Sequence, residues 1–154
     1  MRSRPRLRLD TARRLKPEFR LADSAQQIVG GFLLAGPFVV TEEVWVLAGA
    51  MNIWQTLATV GIVAAIGYAA LYKADTKRDA DHEVEVAGIP VRFLSLMIVS
   101  FGSVTVLALA FNAPETFLGE NGLTTVEMTA VTFKAVSVGA VFSVVGAATA
   151  DSVY

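Results

Sequence analysis

The sequence contains no cysteine and one histidine, His82, among its 154 residues. Without cysteine the chain can form no disulfide, thiolate metal site or thiol nucleophile. One histidine excludes a multi-histidine metal centre within the chain and a haem held between two histidines. No nucleotide-binding loop or serine–histidine–aspartate set is present either. We therefore expect no enzymatic activity, no cofactor and no nucleic-acid partner.

What the chain has in abundance is apolar residues, which make up 54% of the sequence and give a mean hydropathy of +0.54. Its polar residues are concentrated in a few blocks, with long apolar runs between them. A soluble domain would need polar residues dispersed over its surface. This segregation predicts an integral membrane protein.

Four apolar segments approach or exceed the length of about 20 residues that crosses a bilayer as a helix. They cover about residues 24–47, 53–72, 91–111 and 126–149. The sequence thus predicts an all-α bundle of four transmembrane helices over residues 24–154, preceded by a basic tail, residues 1–23. Asn52 is a predicted cap of the second helix, Pro90 suits the first turn of the third, and Thr124 with Glu127 forms a capping box for the fourth.

The basic residues predict how the bundle is oriented. The first 20 residues carry eight Lys or Arg, and the loop over 73–89 carries three, whereas the first and third connections carry none. Both termini are therefore expected in the cytoplasm of a multi-pass protein of the cell membrane. The tail is expected to lie along anionic lipid headgroups. The charged loop, which includes His82, is interpreted as a solvated segment, with a docking surface for a membrane protein partner as the alternative.

Four ionisable residues inside or at the edge of the apolar runs need an explanation: Glu42, Glu43, Glu127 and Lys134. Along straight helices, the first two acids would lie roughly 8 Å deep and Lys134 roughly 12 Å deep, all from the same membrane face. One interpretation is an outward-facing ion, proton or solute site. In the other, Lys134 extends to the headgroups, Glu127 caps its helix, and Glu42 and Glu43 reach the interface. The second is favoured for Glu42 and Glu127, and both stay open for Glu43 and Lys134.

Other residues of the first two spans have structural roles in this interpretation. Pro37 is expected to kink the first helix, and Thr41 to bond a carbonyl near the kink. Trp45 and Trp54 are predicted to be aromatic anchors at the membrane interface.

Small residues recur every four positions and predict close helix contacts. The fourth span has Gly139, Ser143 and Ala147, the second has Gly61 and Ala65, and the first has Gly31 and Ala35. These contacts could lie within one chain or between chains of a homo-oligomer.

Pro37, Thr41, Glu43 and Trp45 together make the pattern P-x-x-x-T-x-E-x-W, which follows the glycine-rich stretch GGFLLAG. This pattern resembles a family of prokaryotic integral membrane proteins whose shared domain has no assigned function. The resemblance covers mainly the first span and singles out Glu43 rather than Glu42. It implies a membrane protein but no specific chemistry.

The functional hypothesis drawn from these residues is passage of an ion, proton or small solute through a homo-oligomeric bundle, with Glu43 and Lys134 as the site. The alternative is a non-transporting accessory or scaffold subunit of a larger membrane complex.

Overall fold

The protein, described here from a computed structural model, is a helical bundle. The structure describes residues 21–73, 85, 86 and 88–153. Six helices occur there: α1 (Leu21–Val39), α2 (Glu42–Ala50), α3 (Ile53–Tyr68), α4 (Val91–Ala110), α5 (Ala113–Leu118) and α6 (Thr125–Val153). The predicted all-α membrane bundle is thus confirmed. Most of the basic tail and of the charged loop, including His82, lies outside the described residues.

Three short elements complete the described chain. A π-helical turn, Ala69–Lys73, extends α3, and a 3-10 turn, Gly119–Asn121, follows α5. Before α4, the two-residue strands Glu85–Val86 and Ile89–Pro90 pair antiparallel around Gly88, whose φ of 83° suits glycine. The hairpin therefore leads directly into α4.

Three helical segments are long and apolar enough to cross a membrane: Ile53–Tyr72, Val91–Ala110 and Thr125–Ala150. Local capping chemistry explains where two of them begin. The Asn52 side-chain oxygen accepts a hydrogen bond from the Gln55 backbone N–H at 2.8 Å, and the Asn52 backbone N–H donates to the Gln55 side-chain oxygen at 2.8 Å. At α6, Thr124 and Glu127 make the same reciprocal pair at 3.0 and 3.2 Å. These side chains satisfy amides that have no partner within the helix.

The first predicted span is not one continuous helix. Only together are the segments Ser24–Val39 and Glu42–Ala50 long and apolar enough to cross a membrane, and they meet at an angle of 82°. The predicted span over 24–47 is therefore divided into two helices, and the kink expected at Pro37 is a complete break. The helix breaks at Val40 and Thr41, three and four residues after Pro37, and the chain continues as the separate helix α2.

The centre of the bundle is formed by α1, α4 and α6, with α1 and α6 in the closest contact. A Cβ atom built on Gly30 would overlap the carbonyl of Gly146, and one built on Gly146 would overlap that of Gly30. One turn along, the Ser143 hydroxyl donates to the Gly31 carbonyl at 3.0 Å. The two backbones can approach this closely because neither crossing residue has a side chain.

The predicted small-residue contacts hold on two helices but not on a third. Ser143, Ala147 and Ala35 are fully buried, and a Cβ atom on Gly139 would lie 2.8 Å from Val104. On α3, by contrast, Gly61 and Ala65 are exposed, and nothing lies within 4 Å of a Cβ built on Gly61. Within the described residues Gly61 therefore packs against no other helix, and the alternative, a contact between chains, stays a prediction. Gly67, on another face of α3, meets Met97 and Val144 instead.

Candidate functional site

The bend between α1 and α2 carries several of the residues singled out in the sequence. Pro37 lies in the last turn of α1, and Thr41 is the N-cap residue of α2. The Thr41 hydroxyl donates to the Pro37 carbonyl at 2.6 Å. This is the type of bond expected of Thr41, although it stabilises a broken helix and not a kinked one. We call residues 37–45 the elbow.

Trp45 is a core residue of the elbow and not the interface anchor predicted for it. Its side chain is only 3% exposed, and its indole N–H donates to the Val39 carbonyl at 3.0 Å. Its ring stacks on Phe117 of α5 at a centroid distance of 5.8 Å. The break turns α2 across the bundle, so that Trp45 points inward. Trp54 is 75% exposed near the start of α3, and its role as an interface anchor stays a prediction.

Glu42 and Glu43 are the first two residues of α2, and both are exposed. Together with Val46 and Leu47, one turn further on, they line a shallow open groove on the surface. We call this surface the acidic ledge. Because the amide end of a helix carries partial positive charge, two carboxylates in the first turn stabilise α2.

Lys134 lies half-buried on α6, and its ammonium donates to the Met51 carbonyl at 2.7 Å. Met51 is the C-cap residue of α2, immediately before Asn52 and α3. Within the described residues no ion pair joins Lys134 to Glu43, so the structure does not bring together the two charges proposed from the sequence as one site. Their similar depths followed from a straight first helix, and the 82° turn carries the two acids away from the bundle interior.

Both ends of α2 are thus matched to its dipole. Carboxylates occupy its amide end, and the Lys134 ammonium sits at its carbonyl end, where cations stabilise a helix. A nine-residue helix forms poorly in isolation. The charges therefore help to explain why so short a helix forms here.

Glu127 belongs to a different structure from the other three charged residues. Its carboxylate accepts from the Thr124 amide at 3.0 Å, at the first turn of α6. Its role is the capping one that the sequence interpretation favoured. It is exposed and takes no part in a buried cluster.

The end of the bundle formed by α2 and α5 is strongly acidic. No Lys or Arg occurs within residues 40–60 or 111–130. The acids there are Glu42, Glu43, Glu115, Glu120 and Glu127, and all five are exposed. The nearest cation along α6, Lys134, is directed to a backbone carbonyl. Within the part of the chain that the structure describes, this end therefore carries five exposed carboxylates and no exposed Lys or Arg.

The bundle interior contains polar residues that the sequence analysis did not single out. Near the start of α4 the Ser95 hydroxyl donates to Oε1 of the fully buried Gln27 at 2.7 Å, and Ser24 lies 3.3 Å from Ser95. Further along, Ser100 and Ser103 each donate to the carbonyl four residues earlier, at 2.6 Å. The glutamine pair at 26–27, at the start of an apolar run, was the available signal.

These interior groups mostly bond one another or their own helices. In the part of the chain that the structure describes, one buried side-chain oxygen, Oε1 of Gln26, has no hydrogen-bond partner. The same residues contain no group of three or more His, Asp or Glu side chains that could hold a metal ion. The arrangement is a closed, internally bonded interior with a charged surface at one end.

Comparison with known proteins places the chain in a family. The model of the family described as "Putative integral membrane protein (DUF2391)" matches residues 8–150. No curated protein and no solved structure matches the chain. The match covers all six helices except the last residues of α6. The apolar helices, the bundle and this match agree, and the chain belongs to the DUF2391 family of integral membrane proteins.

Proposed function

We propose that the protein is a non-transporting accessory or scaffold subunit of a complex in the cell membrane, with its acidic end as the docking surface. The observation that carries this proposal is the bond from Lys134 to the Met51 carbonyl. A cation within a span is a natural component of a transport site. Here its bond supports a helix junction.

The partner that fits this surface has a basic segment at the same membrane face. Five exposed glutamates without a neighbouring Lys or Arg attract cations at long range and favour association with positive charge. Val46 and Leu47 in the ledge, 64% and 60% exposed, add apolar contact area beside the charges. Mixed apolar and charged contact is typical of interfaces that form and dissociate.

The second candidate is passage of an ion or proton through a homo-oligomer. It draws support from the exposure of Glu42 and Glu43, because carboxylates from several copies could ring a shared pathway. The interior of a single chain gives this second candidate no support, because the backbones of α1 and α6 are in direct contact there.

Two experiments separate these candidates. Purified protein in proteoliposomes should show no flux of Na⁺, K⁺ or H⁺ above empty vesicles; a flux abolished by Glu43→Gln would support the second candidate instead. In native membranes, a photo-crosslinking residue at Glu43 or Glu115 should give an adduct with a different chain. The same residue at Ile98, 72% exposed on the apolar face of α4, is the control and should give none. An adduct of twice the chain mass would indicate self-association.

A further inference from the structure

The elbow has a bonding pattern that explains how the bend is held. In an uninterrupted α-helix, the amide of residue 41 would bond the carbonyl of Pro37, and the amide of residue 43 that of Val39. The break removes both donors. In the structure, side chains bond the same two carbonyls: the Thr41 hydroxyl bonds that of Pro37 at 2.6 Å, and the Trp45 indole N–H that of Val39 at 3.0 Å.

Pro37 weakens the helix at the same place. It has no amide hydrogen and therefore cannot bond the carbonyl of Leu33, four residues earlier. Within a membrane, a backbone group without a partner costs several kcal/mol, so a break is tolerated only where its polar groups find other donors. Thr41 and Trp45 supply those donors.

Trp45 also connects the elbow to the rest of the acidic end. Its ring stacks on Phe117, and it lines a small, partly open apolar pocket together with Phe38, Val104 and Gly139. A movement of α2 would have to withdraw this ring from the core. The indole thus makes a polar contact to α1 and an apolar contact to α5.

We propose that Pro37, Thr41 and Trp45 form a locked bend that holds α2 across the end of the bundle, with the Trp45 indole as its latch. Loss of the two side-chain donors releases α2, because the Pro37 and Val39 carbonyls then compete for the backbone amides of an extended α1. This proposal goes beyond the proposed function and stands whether or not the acidic end binds a partner.

Distances between spin labels on the two helices test the proposal. Cysteines at Val29 and Gly49, both exposed, can be labelled cleanly because the chain has no other cysteine. A continuous helix would place their backbones roughly 30 Å apart, from a rise of 1.5 Å per residue. With the 82° bend, the separation falls to roughly 23 Å.

The wild-type bundle should give a narrow distribution near the shorter distance. Trp45→Phe keeps an aromatic ring but removes the N–H, and this variant should broaden the distance distribution. Adding Thr41→Val should broaden the distribution further and shift it to longer distances. Trp54→Phe is the matched control and should change nothing. A wild-type distance near the longer value, or a double variant with the wild-type distribution, would overturn the proposal.

A second measurement covers the case in which the double variant does not fold. In a Trp54→Phe background, Trp45 is the only tryptophan, and its fluorescence reports its burial. Thr41→Val should increase acrylamide quenching of Trp45 at unchanged helix content, and Thr41→Ser, which keeps the hydroxyl, should restore protection. Equal quenching in all three proteins would show that the Thr41 bond does not hold the bend.

Discussion

The ammonium of Lys134 donates to the carbonyl of Met51 at 2.7 Å and so joins the middle of α6 to the junction of α2 and α3. The residues are 83 positions apart. The bond gives the one cation of the fourth span a partner within the bundle. It also bonds the carbonyl at the end of a nine-residue helix.

Loss of this bond should destabilise the junction of α2 and α3. Lys134→Met removes a charged donor and leaves the half-buried Met51 carbonyl without it, at a cost of about 1–3 kcal/mol. Removal of a charge from the span offsets part of this cost, so the variant should lower the free energy of unfolding in mixed micelles by about 1 kcal/mol. The effects of Glu43→Gln and Lys134→Met on the free energy of unfolding should be additive, with a coupling energy below about 0.5 kcal/mol. A coupling several times larger would show that Lys134 and Glu43 interact directly.

Removing the cap of α6 should destabilise the bundle measurably. Thr124→Ala deletes the hydroxyl that accepts from the Glu127 amide, and should lower the free energy of unfolding by about 1 kcal/mol. Thr129→Ala is the control, since Thr129 is exposed and bonds only the carbonyl of Thr125 within its own helix. It should stay within about 0.5 kcal/mol of wild type. Equal losses in both variants would mean that the capping box contributes nothing specific.

Much of the fold could be predicted from the sequence because the responsible signals are local. Hydropathy located the long helices, and short-range capping chemistry located the starts of α3 and α6. Hydropathy did not predict the elbow because the apolar run continues through it. Its signal was there: Thr41 followed by Glu42 and Glu43 is an N-cap with an acidic first turn, which indicates a new helix after Pro37.

The site was less predictable because it depends on the bend. Once α1 ends at Val39, the depth of Glu43 no longer follows from helical rise, and Trp45 turns from the interface to the core. The partner of Lys134 is a backbone carbonyl, which no side-chain pattern reveals. Small residues likewise mark possible contacts without showing which face packs. Gly139 and Gly61 both belong to patterns with four-residue spacing, yet Gly139 is buried and Gly61 is exposed.

The predicted orientation can be tested with single cysteines in a chain that has none of its own. Cysteines at Asn52 and Asn121, both exposed at the acidic end, should react with an impermeant thiol reagent added outside intact cells. Cysteines at Thr76 and His82 should react only after permeabilisation, because the basic loop is expected in the cytoplasm. Labelling of Thr76 from outside would reverse the orientation and place the acidic end in the cytoplasm.

Two glycines, Gly30 of α1 and Gly61 of α3, should respond in opposite directions to one added methyl group. Gly30→Ala would drive a Cβ atom into the backbone of Gly146, which no side-chain rotation can relieve, so the bundle should unfold at a lower temperature or fail to assemble. Gly61→Ala meets open space and should stabilise α3 by about 0.5–1 kcal/mol, because alanine favours the helix over glycine. Thermal unfolding and the size of the detergent-solubilised particle measure both effects.

If Gly61→Ala instead destabilised the protein or reduced the particle size, the exposed face of α3 would be a contact between copies of the chain. The homo-oligomer expected from the sequence would then gain its interface.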